Sequence, residues 1–519
     1  MMSRAPLVAA FGLALAGAGY QQLGPPPASV RLEVTTEPRL PARIYLFKNK
    51  SPFRLFPVQA VLPIKSDTFY RDRLWKDTAD PGVMEVIAND EFHYILLKGH
   101  ATFHLPPGSY RMEAYRGMFY TPAIVEFELR PGETHKLALP LKAWAKPEQW
   151  LSADDHIHLT RARAEDPVYL GWLEAEDLNV ANFLQLERQV DAAPQYAFGR
   201  GGQSARGGYT IRPGQESRNE FYGHILMLGV NELIRPMSTG AMYANTPESY
   251  PHMTRLFELG RKAGGTLGYA HFRPNRARST VLMDLALGKI DFVEMFQFGV
   301  LTTTDWYELL NAGFRVTGVA GSDFPVPLNQ RKPWPRWLPL LGPERALVRA
   351  RAGADPYETW AAGVRAGEVV VTNGPLVEVS VDQRTGAAQA SASFFRPIES
   401  IEIISNGEVI ASARGDGSRT TLSVSGQVPL GESCWVAART VARKLEGEPD
   451  IQAHTSPVYM LRENRPVHVA SARRALADRW RGELAWLRSA GLVFGSEARV
   501  REFFDLGERA LATLDNAPK

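Results

Sequence analysis

The sequence predicts a multidomain protein with a central β/α barrel, a β-sandwich on either side of it and a helical carboxyl-terminal tail. Three observations support this fold class. The chain has 519 residues, more than one hydrophobic core accommodates. Short runs of alternating apolar residues fill 30–141 and 376–462, as in half-buried strands. Between 151 and 375, strand-like and helix-like runs alternate, which indicates a largely parallel sheet or barrel.

The amino terminus has the composition of a secretory signal. Arg4 precedes an apolar stretch from Ala5 to Ala18, and Ala16-Gly17-Ala18 fits a cleavage site after Ala18. The stretch is too short for a stable membrane span, and the alternative is an apolar amino-terminal strand. We therefore expect residues 1–18 to be a signal peptide and the mature protein to be periplasmic or secreted.

Composition also bears on partners. The chain carries 59 basic and 56 acidic residues, a formal net charge of +3, and no long Lys/Arg run. A nucleic-acid surface normally needs such a run or a basic patch. The composition therefore predicts no nucleic-acid partner.

The two flanking regions have strand patterns separated by Pro and Gly turns. The first, 30–141, contains LPPGSYRMEAYRGMFYTPAIVEFELRPGETHKLALPL and resembles the transthyretin-like or carboxypeptidase-regulatory-like sandwiches. The second, 376–462, includes Ser405-Asn406-Gly407-Glu408, a strong two-residue hairpin signal. Both regions are expected to be β-sandwiches.

The tail, 470–515, has helical periodicity. Its apolar residues form two stripes, made by Leu476, Trp480, Leu484 and Leu487 and by Phe503, Leu506 and Ala510. Such stripes need a partner, which is either the barrel or a second copy of the chain. In the second case the protein would be a homo-oligomer.

The residues with the clearest chemistry lie in the central region. His156-Ile157-His158 places two imidazoles on one strand face, where they can share a cation. Further candidates follow along the chain, and His271 and Asp323 come directly after predicted strands, where barrel sites form. The candidate metal ligands are His156, His158, Glu216, His224, His271 and Asp323. Mixed imidazole and carboxylate ligands suit Zn²⁺ or Mn²⁺, and six suffice for two ions. The alternative is ordinary polar surface or a satisfied core.

These pieces occur in an order that resembles a known family. HIH, Glu216 followed by GHILMLG, then AHF, VEMFQ and GSD are similar to the polymerase-and-histidinol-phosphatase (PHP) metal-dependent hydrolases. The closing TNGP and the flanking sandwiches resemble its CehA/McbA branch, named for bacterial carbaryl hydrolases. The resemblance implies a PHP-like distorted barrel in which the six candidates are the ligands and Glu216 bridges two metals.

The chain departs from the family where a third metal binds. Members with three metals carry an Asp-His after the first helix and a histidine two residues past the final aspartate. The corresponding stretches here are LNVANFLQL and Gly321-Ser322-Asp323-Phe324-Pro325. The third site is therefore expected to be absent, which favours a carbonyl substrate over a phosphate.

These observations predict an exported binuclear hydrolase that cleaves an ester, carbamate or amide with a metal-bridging hydroxide. Glu216 and Asp323 are the expected catalytic residues, with Asp323 moving the proton to the leaving group. The expected substrate is a small-molecule ester or carbamate. One alternative is a PHP-type phosphoesterase, and another is a non-catalytic protein that binds a glycan or an envelope partner.

Other polar residues are weaker candidates for a role in the site. His252 is expected to be an exposed first-turn residue of a helix. Asp154 and Asp155 are candidates to hydrogen-bond the ligating imidazoles, and Asn373 is either pocket-lining or a turn residue. Arg273 and Arg276 either orient an acidic substrate or are exposed loop residues.

Overall fold

The structure is a computed structural model that describes residues 29–53, 61–65, 83–88, 92–186, 193–219, 221–237, 250–272, 279–325 and 336–516. The expected signal peptide, Arg273 and Arg276 lie outside these residues. Within them the chain is multidomain and rich in β-sheet, with a helical carboxyl-terminal tail.

The amino-terminal region consists of strands that form two main sheets. The strands are β1 (Val30–Glu37), β2 (Pro41–Lys48), β3 (Ser51–Pro52), β4 (Val61–Lys65), β5 (Val83–Ala88), β6 (Phe92–Lys98), β7 (His100–Leu105), β8 (Gly108–Tyr115), β9 (Tyr120–Thr121), β10 (Ala123–Leu129), β11 (Thr134–Pro140) and β12 (Lys142–Ala143). One sheet has the order β11-β1-β7 and the other β10-β8-β2-β6-β5-β4. Alternate residues of β1, namely Val30, Leu32 and Val34, are buried between the sheets.

The central region alternates strands with helices. Its elements are β13 (Trp150–Ile157), α1 (Asp166–Glu176), β14 (Val180–Gln185), α2 (Gly199–Gly202), β15 (Ser204–Arg206), β16 (Tyr209–Asn219), β17 (Gly223–Leu228), α3 (Met253–Lys262), β18 (Thr266–Tyr269), α4 (Val281–Ala286), β19 (Phe292–Gln297), β20 (Val300–Leu301), α5 (Thr303–Asn311), β21 (Thr317–Ala320), β22 (Arg345–Arg349), α6 (Pro356–Ala366) and β23 (Val370–Thr372).

The pairing of these strands brings the two ends of the region together. β13, β14 and β16 are parallel neighbours, as are β18, β19 and β21. A parallel bridge joins Ile157 to Phe324, and the His158 amide donates to the Phe324 carbonyl at 2.7 Å. The chain that follows β21 therefore lies beside the end of β13.

One strand differs from the parallel expectation. β17 is antiparallel to both of its neighbours, β16 and β18. Only residues 220–222 connect β16 to β17. A connection this short returns the chain as a hairpin, whereas a parallel pair needs a crossover of about a dozen residues.

The amino-terminal sheet is fixed to the central region by a buried ion pair. Arg43 Nε on β2 lies 2.8 Å from Glu176 Oε1 on α1, and both side chains are buried. The guanidinium of Arg43 also lies over the rings of Tyr45, Tyr94 and Tyr115. Breaking such a pair leaves a buried charge without compensation, so the contact fixes the orientation of the two regions.

The carboxyl-terminal region adds one three-stranded sheet, further strands of the central sheet and two long helices. Its elements are β24 (Leu376–Val381), β25 (Ala387–Ser393), β26 (Ile398–Ser405), β27 (Glu408–Arg414), β28 (Thr421–Gln427), β29 (Cys434–Ala442), β30 (Ile451–Thr455), β31 (Val458–Met460), α7 (Ala470–Ser489) and α8 (Glu497–Asp515). Ser405 pairs with Glu408 across the turn, so the hairpin is present.

The central sheet continues into this region without interruption. β23 pairs with β30, and the sheet then runs through β29 and β26 to β27. Asn373, just past β23, donates its side-chain amide to the Asp450 carbonyl and accepts from the Gln452 amide, both at 2.8 Å. These contacts give Asn373 a structural role at the junction.

The tail packs on the central region of its own chain. α8 contacts α4, and α7 contacts α5 and α8. The two apolar stripes are buried, and Trp480 and Phe503 are fully covered. The rings of Trp486 on α7 and Phe221 stack at 5.5 Å. None of the helices in the described ranges is long and apolar enough to cross a bilayer.

His252, expected to be exposed, is buried at this tail interface. Only 1% of its surface is accessible, and its ring packs against those of Phe494 and Phe503. Neither ring nitrogen has a hydrogen-bond partner among the described residues. The expectation of an exposed first-turn residue is wrong, because the apolar face of the tail covers the start of α3.

This burial makes the tail contact sensitive to acid. Burial lowers the pKa of His252 from 6.5 to about 4. The native state therefore takes up this proton at a lower pH than the unfolded chain. The contribution of neutral His252 to the free energy of unfolding is complete above pH 6.5. This contribution is lost as the pH falls from 6.5 towards 4. Between pH 7 and pH 5 we expect His252 to account for a loss of roughly 2 kcal/mol.

Hydrogen exchange of the α7 and α8 amides at pH 7 and pH 5 measures this effect. His252→Leu removes the titrating group and fills the same position with an apolar side chain. After correction for intrinsic exchange, the α7 and α8 amides of this variant should lose less protection between pH 7 and pH 5 than those of the wild type. Equal losses in the two proteins would contradict the prediction.

Candidate metal centre

The six candidate ligands come together at one end of the central sheet. His156 and His158 lie at the end of β13, Glu216 lies on β16, and His224 lies near the start of β17. His271 and Asp323 follow β18 and β21. Because β17 runs opposite to its neighbours, its first residues lie at the same end as the last residues of the others.

The first group contains His156, His158, Glu216 and Asp323. The two Nε2 atoms are 3.0 Å apart. Glu216 Oε2 lies 3.8 Å from His156 Nε2 and 3.3 Å from His158 Nε2. Asp323 Oδ1 lies 3.5 and 3.2 Å from the same two nitrogens. Two imidazole nitrogens and two carboxylate oxygens therefore face one small volume.

The hydrogen bonds at Nδ1 of these histidines direct their Nε2 atoms towards the cluster. His158 Nδ1 is 3.0 Å from the Leu184 carbonyl, and His156 Nδ1 is 3.1 Å from Glu294 Oε1. Both partners are acceptors, so Nδ1 carries the proton in the neutral ring and Nε2 keeps its lone pair. Two lone pairs only 3.0 Å apart, with carboxylates beside them, suit a shared cation.

The second group contains Glu216, His224 and His271. Glu216 Oε1 lies 3.0 Å from His224 Nδ1 and 4.0 Å from His271 Nε2. The two histidine atoms are 3.0 Å apart. Glu216 therefore presents Oε2 to one pair of histidines and Oε1 to another.

Arg218 distinguishes the second group from the first. Its Nε donates to His224 Nε2 at 3.3 Å, so Nδ1 of the neutral His224 ring carries the proton. A cation at this group has to displace that proton. Arg218 Nε also lies 4.0 Å from Glu216 Oε1 and places a fixed positive charge beside the centre.

Burial and neighbouring charges shift the pKa values of three residues of the cluster. Burial opposes charge on His156, but the negative charges of Glu294 and Asp323 raise its pKa well above the usual value. Burial likewise opposes charge on Glu216, but Arg218 and His224 hold its pKa well below the usual range. Burial and the neighbouring His224 lower the pKa of His271 to about 3, so this imidazole is neutral, as a ligand must be.

One residue behind the candidate ligands holds two of them in place. Glu294 on β19 contacts His156 through Oε1, and its Oε2 accepts from the His271 amide at 2.5 Å. Glu294 therefore links a histidine of the first group to one of the second.

Asp154 and Asp155 do not hydrogen-bond the imidazoles in the described contacts. Asp154 accepts from the backbone amides of His156, Ser322 and Gly342, and so joins β13 to the loop that carries Asp323. Asp155 is buried, and burial with the charge of Glu294 raises its pKa well above the usual value. The candidate hydrogen bonds to the imidazoles are therefore not formed: the Asp154 carboxyl accepts from backbone amides instead, and the Asp155 carboxyl has no hydrogen-bond partner among the described residues.

Two of the candidate ligands have left-handed backbone conformations. φ is 32° at His271 and 52° at Asp323. L-residues adopt this region only at an energetic cost, and such residues concentrate at functional sites. The surrounding contacts, including the His271 amide bond to Glu294, hold the two loops in this conformation.

The donor set fits a divalent cation. Two groups in the described residues have donor atoms within 4.8 Å of one another, one made by His156, His158 and Glu216 and the other by Glu216, His224 and His271. Nitrogen and carboxylate donors are typical ligands of zinc and manganese. The buried His and Glu residues are thus able to hold metal ions.

Two residues of this site, Arg218 and Glu294, are not among the candidates predicted from the sequence. Glu294 interrupts the otherwise apolar run FVEMF, and a buried carboxylate in such a strand needs a specific partner. Arg218 lies two residues after Glu216, on the same face of β16. Both signals are present in the sequence.

Comparison with known proteins gives little similarity. No protein-family model and no curated protein matches the chain. Among solved structures, the chain is similar to the crystal structure of an Endonuclease Q complex with a 27-mer duplex substrate that has an abasic lesion at the active site. The TM-score is 0.26 and the identity 14%, over 42% of this chain and 57% of that chain. A similarity of this extent carries no conclusion about activity.

The expectation about partners needs a correction. The chain was expected to have a small-molecule substrate and no nucleic-acid partner, and the similar structure is a complex with duplex DNA. The exclusion of nucleic acid is wrong as drawn, because it rested on the charge of the whole chain. A net charge of +3 sums over the whole chain and does not exclude a local basic surface.

Proposed function

We propose that this protein is a metal-dependent hydrolase with a two-ion centre. One observation carries the proposal: Glu216 presents one carboxylate oxygen to His156 and His158 and the other to His224 and His271. Packing alone does not require a buried carboxylate between two histidine pairs. In this proposal His156, His158 and Asp323 hold one ion, His224 and His271 hold the other, and Glu216 holds both.

The fold we propose for the central region is a PHP-like barrel of the CehA/McbA branch. The order β13-β14-β16-β17-β18-β19, with β21 beside β19 and the bridge from Ile157 to Phe324, supports a closed arrangement. The cluster lies at the end of the sheet where barrel enzymes place their chemistry.

The residues of the cluster divide into those that would hold the metal ions and those that would face the substrate. His156 and His158 are fully buried, whereas the side chains of Asp323 and His271 are 14% and 20% exposed. The substrate therefore approaches on the side of Asp323 and His271. Divalent ions bound here would polarise the bond to be cleaved and lower the pKa of water.

Asp323 has the properties of a proton carrier. Burial opposes its charge, but His156 and His158 hold its pKa below the usual value, so it is ionised. An ionised carboxylate at the open side of the cluster accepts a proton as water attacks and passes it to the departing group.

The bond that we propose is cleaved is a carboxyl ester, carbamate or amide. The stretch LNVANFLQL has no histidine, and Pro325 lies two residues after Asp323, where the three-metal enzymes of the resembled family carry histidines. Without a third cation, a phosphate monoester loses part of its charge neutralisation, whereas a carbonyl group is little affected. Arg218 favours the second candidate, a phosphoesterase, because a guanidinium also neutralises phosphate.

A substrate panel separates the two candidates. On the metal-loaded protein we expect turnover of an activated aryl ester or carbamate, with phosphomonoester hydrolysis slower by at least about tenfold, or roughly 1.4 kcal/mol in the barrier. An aryl phosphodiester belongs in the same panel. Faster turnover of either phosphate ester would establish the phosphoesterase, and no turnover with both ions bound would favour a binding protein.

We also propose that the protein is exported. The basis is Arg4 and the apolar stretch that ends in Ala16-Gly17-Ala18. Amino-terminal sequencing of protein from the native host should begin at Gly19, and a sequence beginning at Met1 or Met2 would contradict export by this signal.

A further inference from the structure

A polar cavity lies at the opposite end of the central sheet from the candidate metal centre. It has a volume of about 660 Å³ and is lined by Arg200, Arg212, Arg261 and Arg365, with Tyr357 and Glu358 among the other residues. Arg212 and Glu216 are on the same face of β16, four residues apart. At about 3.3 Å per residue, the two sites are separated by roughly 13 Å of strand.

Arg212 is a buried cation without a carboxylate. It is 4% exposed, and no aspartate or glutamate of the described residues forms an ion pair with it. One terminal nitrogen donates to Gln203 Oε1 at 2.6 Å and the other to the Gly229 carbonyl at 3.4 Å, while Nε has no hydrogen-bond partner there. Its guanidinium lies 4.9 Å from the centre of the Tyr357 ring. Burial of an uncompensated guanidinium is costly unless an anion accompanies it.

The other arginines add to this positive charge. Arg365 donates to Thr266 Oγ1 at 2.6 Å and forms no ion pair with a carboxylate of the described residues. Arg200 is 3.5 Å from Glu358, the acidic residue of the lining. Arg261 is already engaged with Asp291 through two hydrogen bonds of 2.8 and 2.9 Å. Arg212 and Arg365 are therefore the cations available to a ligand.

We propose that this cavity binds a small molecule through a phosphate-type oxyanion. Arg212 comes from β16 and Arg365 from α6, so the two guanidinium groups belong to different walls of the cavity. A tetrahedral oxyanion offers acceptors in several directions, whereas a carboxylate offers two in one plane. The volume also lies within the range of small-molecule sites.

Calorimetric titration of the full-length protein with inorganic phosphate tests the site. We expect saturable binding with a Kd of about 1 mM or tighter, equivalent to about −4 kcal/mol. Arg365→Gln should weaken binding at least fivefold and Arg212→Gln at least tenfold. Arg365 is exposed, so its variant reports on the ligand even if the buried Arg212 variant folds poorly.

Matched controls separate this cavity from the metal centre and from general surface charge. Glu216→Gln should keep phosphate binding at the cavity, and Arg384→Gln, an exposed arginine of the carboxyl-terminal region, should leave the affinity unchanged. An unchanged affinity of Arg365→Gln for phosphate would overturn the proposal. Loss of phosphate binding in Glu216→Gln would overturn it as well. Arginine-dependent binding of a short oligonucleotide without binding of inorganic phosphate would also overturn it and indicate a nucleic-acid surface.

Discussion

Replacement of Glu216 by glutamine should reduce the metal content from about two ions per chain to fewer than one. Hydrolysis of the best substrate in the panel should fall at least about 10³-fold, or roughly 4 kcal/mol in the barrier. The reason is geometric, since Oε1 and Oε2 of Glu216 each face a different histidine pair. A neutral amide offers one oxygen and one NH₂ group, so it cannot serve both sides. Elemental analysis after reconstitution with Zn²⁺ or Mn²⁺ measures the loss.

Glu294→Gln is the matched control for this prediction. Glu294 is as buried as Glu216 and contacts His156, but it faces Nδ1 rather than the cation-facing Nε2. Loss of a carboxylate behind a ligating histidine typically costs 10–100-fold in metal affinity. We therefore expect Glu294→Gln to retain both ions at saturating metal. If the two variants lose metal equally, Glu216 has no special bridging role; if the wild type binds none, the proposed function fails.

Asp323→Asn is expected to lower turnover at least about 10³-fold, again roughly 4 kcal/mol, with the fold retained. Asp323 Oδ1 lies 3.2 Å from His158 Nε2 and 3.5 Å from His156 Nε2, and the side chain is partly open to solvent. The amide weakens one ligand and removes the carboxylate that accepts the proton. Steady-state kinetics on an aryl ester or carbamate measures the effect.

Asparagine is the appropriate replacement because of the backbone. Asp323 has a φ of 52°, a left-handed conformation that asparagine tolerates nearly as well as aspartate. Asp323→Ala would add backbone strain and confound a chemical effect with a structural one. Circular dichroism and metal content should show that Asp323→Asn is folded. Wild-type turnover in that folded variant would exclude Asp323 from the chemistry.

Much of the site could be predicted from local patterns. The alternation in His156-Ile157-His158 places both imidazoles on one face, and strands that end at His271 and Asp323 direct these residues to one end of a sheet. The structure brings all six candidates together. Glu294 and Arg218 were missed because their importance comes from a partner that lies 138 residues away, His156, or across a hairpin, His224.

His252 shows the opposite error. A histidine at the start of a helix after Pro251 has the local pattern of an exposed residue, and its own segment does not show which residues pack on it. Phe494 and Phe503, more than two hundred residues later in the chain, pack on it and bury it. Local composition cannot report such contacts, because burial depends on which distant element packs on the surface.

Local sequence patterns predict which regions form strands and helices, where the hairpin at Asn406-Gly407 turns and which residue types are available for a metal. These features depend on side-chain periodicity and backbone preference, which are local properties. The packing of distant elements places the tail on its own chain and Glu216 between two histidine pairs. It also decided that Arg212 is buried without a carboxylate. Each of these depends on distances between residues far apart in the chain, which are fixed only when the sheets and helices pack together.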